Sequence, residues 1–78
     1  MSVTALYFAS LRERTGVERE RVEATGSVAQ LYETLRARHG FAFARDALRV
    51  AVNGVFVPWD CPLEPGDEVA FIPPVSGG

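Results

Sequence analysis

"TGSVAQLYETLRARHG", residues 25–40, decides how this chain folds. Ser27 followed three residues later by Gln30 has the pattern of a capping box, in which each side chain accepts the other residue's backbone N–H at a helix start. Val28, Leu31 and Leu35 recur at helical spacing with Tyr32 beside them, giving one apolar stripe on an otherwise polar segment. Arg36, Arg38 and His39 crowd the last turn, where the carbonyl end of the helix dipole favours cations. Gly40 is suited to leaving the helix in a left-handed conformation. A lone helix cannot bury its stripe against itself, so it must lie on a sheet.

The flanking segments supply that sheet. "SVTALYFAS" (2–10) reads as a strand, with Leu6 and Phe8 alternating against Ala5 and Tyr7. Leu11 to Thr15 reads as about one exposed helical turn that stops at Gly16. "VERERVEA" (17–24) alternates in charge, which suits an edge strand, where charged side chains discourage stray pairing. Beyond the helix, Phe41 or Phe43 is expected to pin its end to the core. "LRVAVNGVFVPWD" (48–60) folds back at Asn53-Gly54, because both central residues of a type I′ turn need positive φ, which Asn and Gly tolerate. Pro58 limits the second strand of this hairpin to an edge or ends it. A turn at Pro65-Gly66-Asp67 leads into a last strand, 68–72, with Asp67 bonding local backbone. The first and last strands are the most apolar and are expected side by side in the centre. The order β, helical turn, β, main helix, ββ, β predicts an α+β fold of the β-grasp (ubiquitin-like) type. Residues 1–72 form its body, a mixed sheet of about five strands on one main helix, and 73–78 form an extended C-terminal tail.

Composition excludes several functions. A chain of 78 residues is one domain, too short for a cofactor cleft between lobes. Its net charge of −2 provides no basic field for nucleic acid. Cys61 is the only cysteine, so neither an internal disulfide nor a cysteine zinc cluster can form. No apolar stretch is long enough for a membrane span and no signal-peptide pattern opens the chain, which predicts a soluble, cytoplasmic protein. All eight basic residues are arginine, so no side-chain amine is available to react with an activated acyl group.

Conventional catalytic groups are scarce. His39 is the sole histidine, and its place in the last helical turn already accounts for it. Cys61 has no lysine or second histidine to stabilise a thiolate. Glu18, Glu20 and Glu23 alternate with Arg19 and Arg21 as a solvated strand face would. Glu64, Asp67 and Glu68 surround a turn, and no glycine-rich loop precedes a helix to cradle phosphate. No metal-binding or cofactor-binding residue is predicted, and the chain is not expected to be an enzyme on its own.

The end of the chain, "FIPPVSGG" (71–78), is different. Pro73 and Pro74 lock φ and hold the residues before them extended, so the tail leaves the last strand in a defined direction. Through Val75 and Ser76 it can reach on the order of 20 Å. Gly77 and Gly78 lack Cβ atoms and can enter a narrow channel. The carboxylate of Gly78 is expected to be present without trimming. A carboxylate is a poor acyl donor, but transfer of AMP from ATP turns it into a mixed anhydride, and a sulfur nucleophile can then displace AMP to leave a thiocarboxylate.

"LYFASLRERTG", "AVNG" and "PLEPGDEVAFIPPVSGG", with the spacing between them, closely resemble the small, sulfur-carrying subunits of molybdopterin synthase over essentially the whole chain. The most specific part is Gly66-Asp67-Glu68-Val69 followed by Pro73-Pro74-Val75-Ser76-Gly77-Gly78. The related carrier for thiamine thiazole synthesis shares the fold and the Gly-Gly ending but usually lacks the early helical turn and the double proline. The resemblance implies that Gly78 is adenylated by an ATP-dependent enzyme related to ubiquitin-activating enzymes and becomes a C-terminal thioglycine. A desulfurase or rhodanese supplies the sulfur indirectly. It further implies that Pro73, Pro74, Val75, Ser76 and Gly77 thread into partner active sites. In the large synthase subunit, within a heterotetramer, sulfur then passes to cyclic pyranopterin monophosphate and builds the dithiolene of the molybdenum cofactor. ATP is used by the activating enzyme and not held by this chain. An exposed sheet face is expected to dock on the partners, with Phe8, Phe56 and Phe71 as candidates. Two alternatives are a carrier for another acceptor (thiazole, a cysteine precursor, tRNA or a tungsten cofactor) and a ubiquitin-like tag or adaptor.

Overall fold

A computed structural model describes residues 1–74. The elements run β1 (Ser2–Tyr7), α1 (Ala9–Thr15), β2 (Arg19–Glu23), α2 (Val28–His39), a 3-10 turn (Arg45–Ala47), β3 (Arg49–Val52), β4 (Val55–Phe56) and β5 (Glu68–Ile72). The strands form one sheet in the order β2-β1-β5-β3-β4. β1 and β5 pair in parallel, and the other neighbours are antiparallel. This is the β-grasp arrangement, with the first and last strands adjacent inside the sheet and the charged β2 at an edge.

The helix begins and ends where its residues dictate. The Gln30 N–H donates to Ser27 Oγ at 3.3 Å, and the Ser27 N–H donates to Gln30 Oε1 at 2.8 Å, so the capping box is complete. Gly40 closes α2 at φ 72°, its N–H bonding the Arg36 carbonyl at 2.8 Å. Val28, Leu31, Tyr32 and Leu35 are buried on the sheet. Phe41 is buried against Tyr32, and the Tyr32 hydroxyl donates to the Phe43 carbonyl at 2.7 Å, so both phenylalanine positions help anchor the helix end.

Asn53 does more than turn the β3–β4 hairpin at φ 51°. Its Nδ2 donates to Asp67 Oδ1 at 3.0 Å, and its Oδ1 accepts the Glu68 N–H at 2.9 Å. Asp67, only 7% exposed, also accepts the Glu64 N–H at 2.8 Å. The hairpin tip is thereby tied to the turn that launches β5. A buried carboxylate is tolerated here because each of its oxygens has a donor.

Four expectations need correction. The first strand stops at Tyr7, not Ser10, and helix has begun at Ala9. The Phe8 carbonyl accepts the Leu11 N–H at 3.1 Å, and the turn carries Leu11 into the core at 2% exposure. α1 is therefore a short packed helix with one buried side chain. β2 begins at Arg19 rather than Val17. Within β2, Glu20 does not belong to a solvated face: its register partner is Ala5, which faces the helix, so Glu20 points the same way. There it meets Arg38 at 3.4 Å and His39 at 3.1 Å.

Candidate functional site

β5 lies between β1 and β3, so whatever follows Ile72 leaves from the middle of the sheet. Pro73 is buried at this root and Pro74 is exposed. Val75, Ser76, Gly77 and Gly78 lie outside the described residues. The structure therefore defines the platform from which the tail departs, beside the end of β1 and the start of β3.

The platform's open face follows from strand alternation. Tyr7, Val50, Val69 and Phe71 face α2 and are buried. Their neighbours face the other way. Leu6 pairs with Ala70, Ala70 with Ala51, and Ala51 with Phe56, which lays an apolar row across four strands. Nearer the tail root, Ile72 pairs with Arg49, and extended backbone at Phe8 (φ −123°, ψ 150°) keeps that ring on the side of Leu6. Phe56 is 61% exposed and Phe8 45%. The Arg49 guanidinium sits 5.1 Å from the centre of the Phe56 ring, and Arg19 faces Glu68 at 3.9 Å along one margin. Phe8 and Phe56 thus leave aromatic surface open on the side of the sheet away from α2.

Of the three phenylalanines expected here, Phe71 does not belong. It is fully buried between Tyr32 and Trp59, because Phe71 pairs with Tyr7 and Val50 on the helix side of the sheet. Leu6, Ile72 and Arg49 join the face instead. The signal for Leu6 was present in its alternation with Tyr7, but membership of Ile72 and Arg49 depends on a pairing register that local sequence does not specify.

The His39 Nε2 meets Glu20 Oε2 at 3.1 Å, and its ring lies against Tyr7 and Phe41. Burial pushes the Tyr7 phenol well above the usual range, and the nearby Glu20 carboxylate pushes it further. The Tyr7 hydroxyl is oriented toward that carboxylate but, among the described residues, reaches no partner in full hydrogen-bond geometry. A Ser2 hydroxyl and the terminal ammonium hold the exposed Glu23 carboxyl below its ordinary value. Cys61 is half-buried, its sulfur directed at the Pro62 carbonyl. Among the described residues no group of three or more His, Cys, Asp or Glu side chains is placed to hold a metal. No helix there is long and apolar enough to cross a membrane.

A family model described as the ThiS family matches residues 5–78. The molybdopterin synthase sulfur carrier subunit of Escherichia coli K12 is 40% identical, with 97% of this chain and 99% of that protein covered. The human protein of the same name is 39% identical, covering 97% and 93%. Among solved structures, SAMP1 of Haloferax volcanii, a small archaeal modifier protein, superposes with a TM-score of 0.84 at 29% identity over 100% of both chains.

Proposed function

We propose a function from one premise: the chain belongs to the ThiS family. It serves as the sulfur carrier subunit of molybdopterin synthase. The observation that carries this reading is full-length likeness to two proteins of that name, combined with a Gly77-Gly78 ending that follows the central strand of the sheet.

The chemistry divides between body and tail. In the tail, the Gly78 carboxylate attacks the α-phosphate of ATP on an activating enzyme, releasing pyrophosphate and forming the glycyl adenylate. Hydrosulfide or its equivalent attacks the glycyl carbonyl carbon, the bond to the phosphate oxygen breaks to release AMP, and the chain leaves with a terminal thiocarboxylate. Glycines at the last two positions keep side chains out of both steps. In the body, the open face bearing Leu6, Phe8, Phe56 and Ile72 docks first on the activating enzyme and later on the large synthase subunit. Pro73 and Pro74 aim the tail into each active site. The large subunit supplies the catalytic groups, and sulfur passes to cyclic pyranopterin monophosphate. This chain is a cosubstrate, recharged for each round in the cytoplasm at the expense of ATP.

A second reading, favoured by the likeness to an archaeal modifier protein, has Gly78 form amide bonds with amines of other proteins. Intact mass spectrometry separates the two. With activating enzyme, ATP and a sulfur donor, the chain should gain the mass difference between one sulfur and one oxygen atom. Supplying the large subunit and the pterin precursor should then yield molybdopterin. An unchanged mass with competent partners overturns the carrier reading. Covalent conjugates in place of a thiocarboxylate favour the modifier, and a thiocarboxylate that yields no molybdopterin points to another acceptor.

A further inference from the structure

Every described residue with positive φ is one of five glycines or Asn53, with one exception. Ala9 sits at φ 49°. In this left-handed region the Cβ of an L-residue crowds its own backbone, and alanine there is less favourable than glycine. The chain uses glycine at Gly16 and Gly40, the other helix boundaries of this kind. At Ala9 it does not.

Both sides of this kink are held. Tyr7 is 1% exposed, and its N–H bonds the Glu18 carbonyl at 2.9 Å. Leu11 is buried, and Arg14 Nε donates to the His39 carbonyl at 2.9 Å. Phe8, Ala9 and Ser10, all exposed, are the three residues between buried Tyr7 at the end of β1 and buried Leu11 in α1. Phe8 itself has no side-chain cap to its helix, and its ring is open to solvent at the root of the tail. Among the described residues, the backbone angle that departs from local preference therefore adjoins an exposed aromatic ring on the open face of the sheet.

We propose that Ala9 is a positioning residue for docking: its left-handed conformation, narrowed by its Cβ, holds Phe8 in the extended pose that meets the large synthase subunit. Glycine at this site allows the same turn but also many others, so Phe8 would have to be ordered on binding. Fixing one side chain at an interface costs about 0.5–1.5 kcal/mol, a factor of roughly two to twelve in affinity. Strain retained beside a functional group is a recurring way to preorganise it. The docking half of this inference rests on the carrier reading above, and the positioning half does not.

Ala9→Gly tests it through two measurements on the full chain. In the free protein, NMR relaxation should show the Phe8 amide order parameter falling from a rigid value of about 0.85, while the melting temperature stays level or rises. Against purified large subunit, calorimetry should show binding weaker by roughly two- to twelvefold. Phe8→Ala should weaken binding as well, and adding Ala9→Gly to it should cost nothing more, since Ala9 acts through that ring. An unchanged order parameter, a lower melting temperature, wild-type affinity or a loss that persists without Phe8 each overturns the proposal. Wild-type chain that fails to bind the large subunit at all counts against the carrier reading, and the order parameter then decides the role of Ala9.

Discussion

The two faces of the one sheet are made from the same strands and have opposite fates. On the helix side, Val3, Ala5, Tyr7, Val50, Val69 and Phe71 are all at or below 2% exposure. On the other side, alternate residues of β1, β3, β4 and β5 are left open or half-open apart from buried Ala51, with Phe56 61% and Phe8 45% exposed. Period-two alternation would normally put polar residues on a solvent face. This sheet instead keeps Leu6, Ala70, Ile72 and Phe56 there. The first face holds the body together, and the second is available to a partner without loss of the fold.

The largest expected effect comes from swapping one aromatic on each face. Phe71→Ala should lose about 3–5 kcal/mol, a large part of the stability of a domain this size. Phe56→Ala should change the denaturant midpoint very little, as exposed substitutions usually shift stability by about 0.5 kcal/mol or less. It should nevertheless weaken binding to the large subunit. Equal destabilisation by both substitutions would erase the distinction between the faces.

An intermediate effect is expected at the far end of β5. Asp67→Ala removes the acceptors for Asn53 Nδ2 and the Glu64 N–H in a nearly buried site, and should cost about 1–3 kcal/mol. Urea titration measures this loss. Because the network lies at the opposite end of β5 from the tail, the folded fraction should still be charged with sulfur.

The smallest effect is at Tyr7, the inner-face residue whose hydroxyl is buried beside Glu20. Tyr7→Phe removes a buried hydroxyl that, among the described residues, meets no partner in full hydrogen-bond geometry, so stability near neutral pH should stay level or rise. Its phenol titrates above the ordinary range when folded, whereas the unfolded chain releases that proton near pH 10. Below that pH both states are protonated and the group gives stability no pH dependence. Above it the unfolded state holds fewer protons, so stability falls as pH rises. Tyr7→Phe should reduce that alkaline loss, and thermal melts between neutral pH and about pH 11 would reveal it. Wild-type behaviour throughout would mean that Tyr7 is not buried as described.

Much of the fold was legible because its signals are local. Ser27, Gln30 and Gly40 bound the helix through chemistry within one turn of each end. Asn53-Gly54 specifies its hairpin through the φ values the two residues tolerate, and β5 runs over the segment expected from apolar content and its preceding turn. The errors fall where distant residues intervene. Continuing the first strand to Ser10 was reasonable from Phe8, but burial of Leu11 draws the chain into α1. Glu20 resembles its charged neighbours in sequence and differs only because Ala5 sets its facing and His39 awaits it. Phe8, Phe56 and Phe71 are one residue type in three places, and none announces its side of the sheet.

The amino-acid sequence by itself determined the element types and their order, because caps, turn residues and glycine act through bonds a few residues long. Only the tertiary structure decided which aromatics stay open, that Asn53 locks the start of β5, and that Ala9 bends backward beside Phe8. Those features depend on strand register and on burial by residues far apart in the chain, and a one-residue slip in register would reverse every facing.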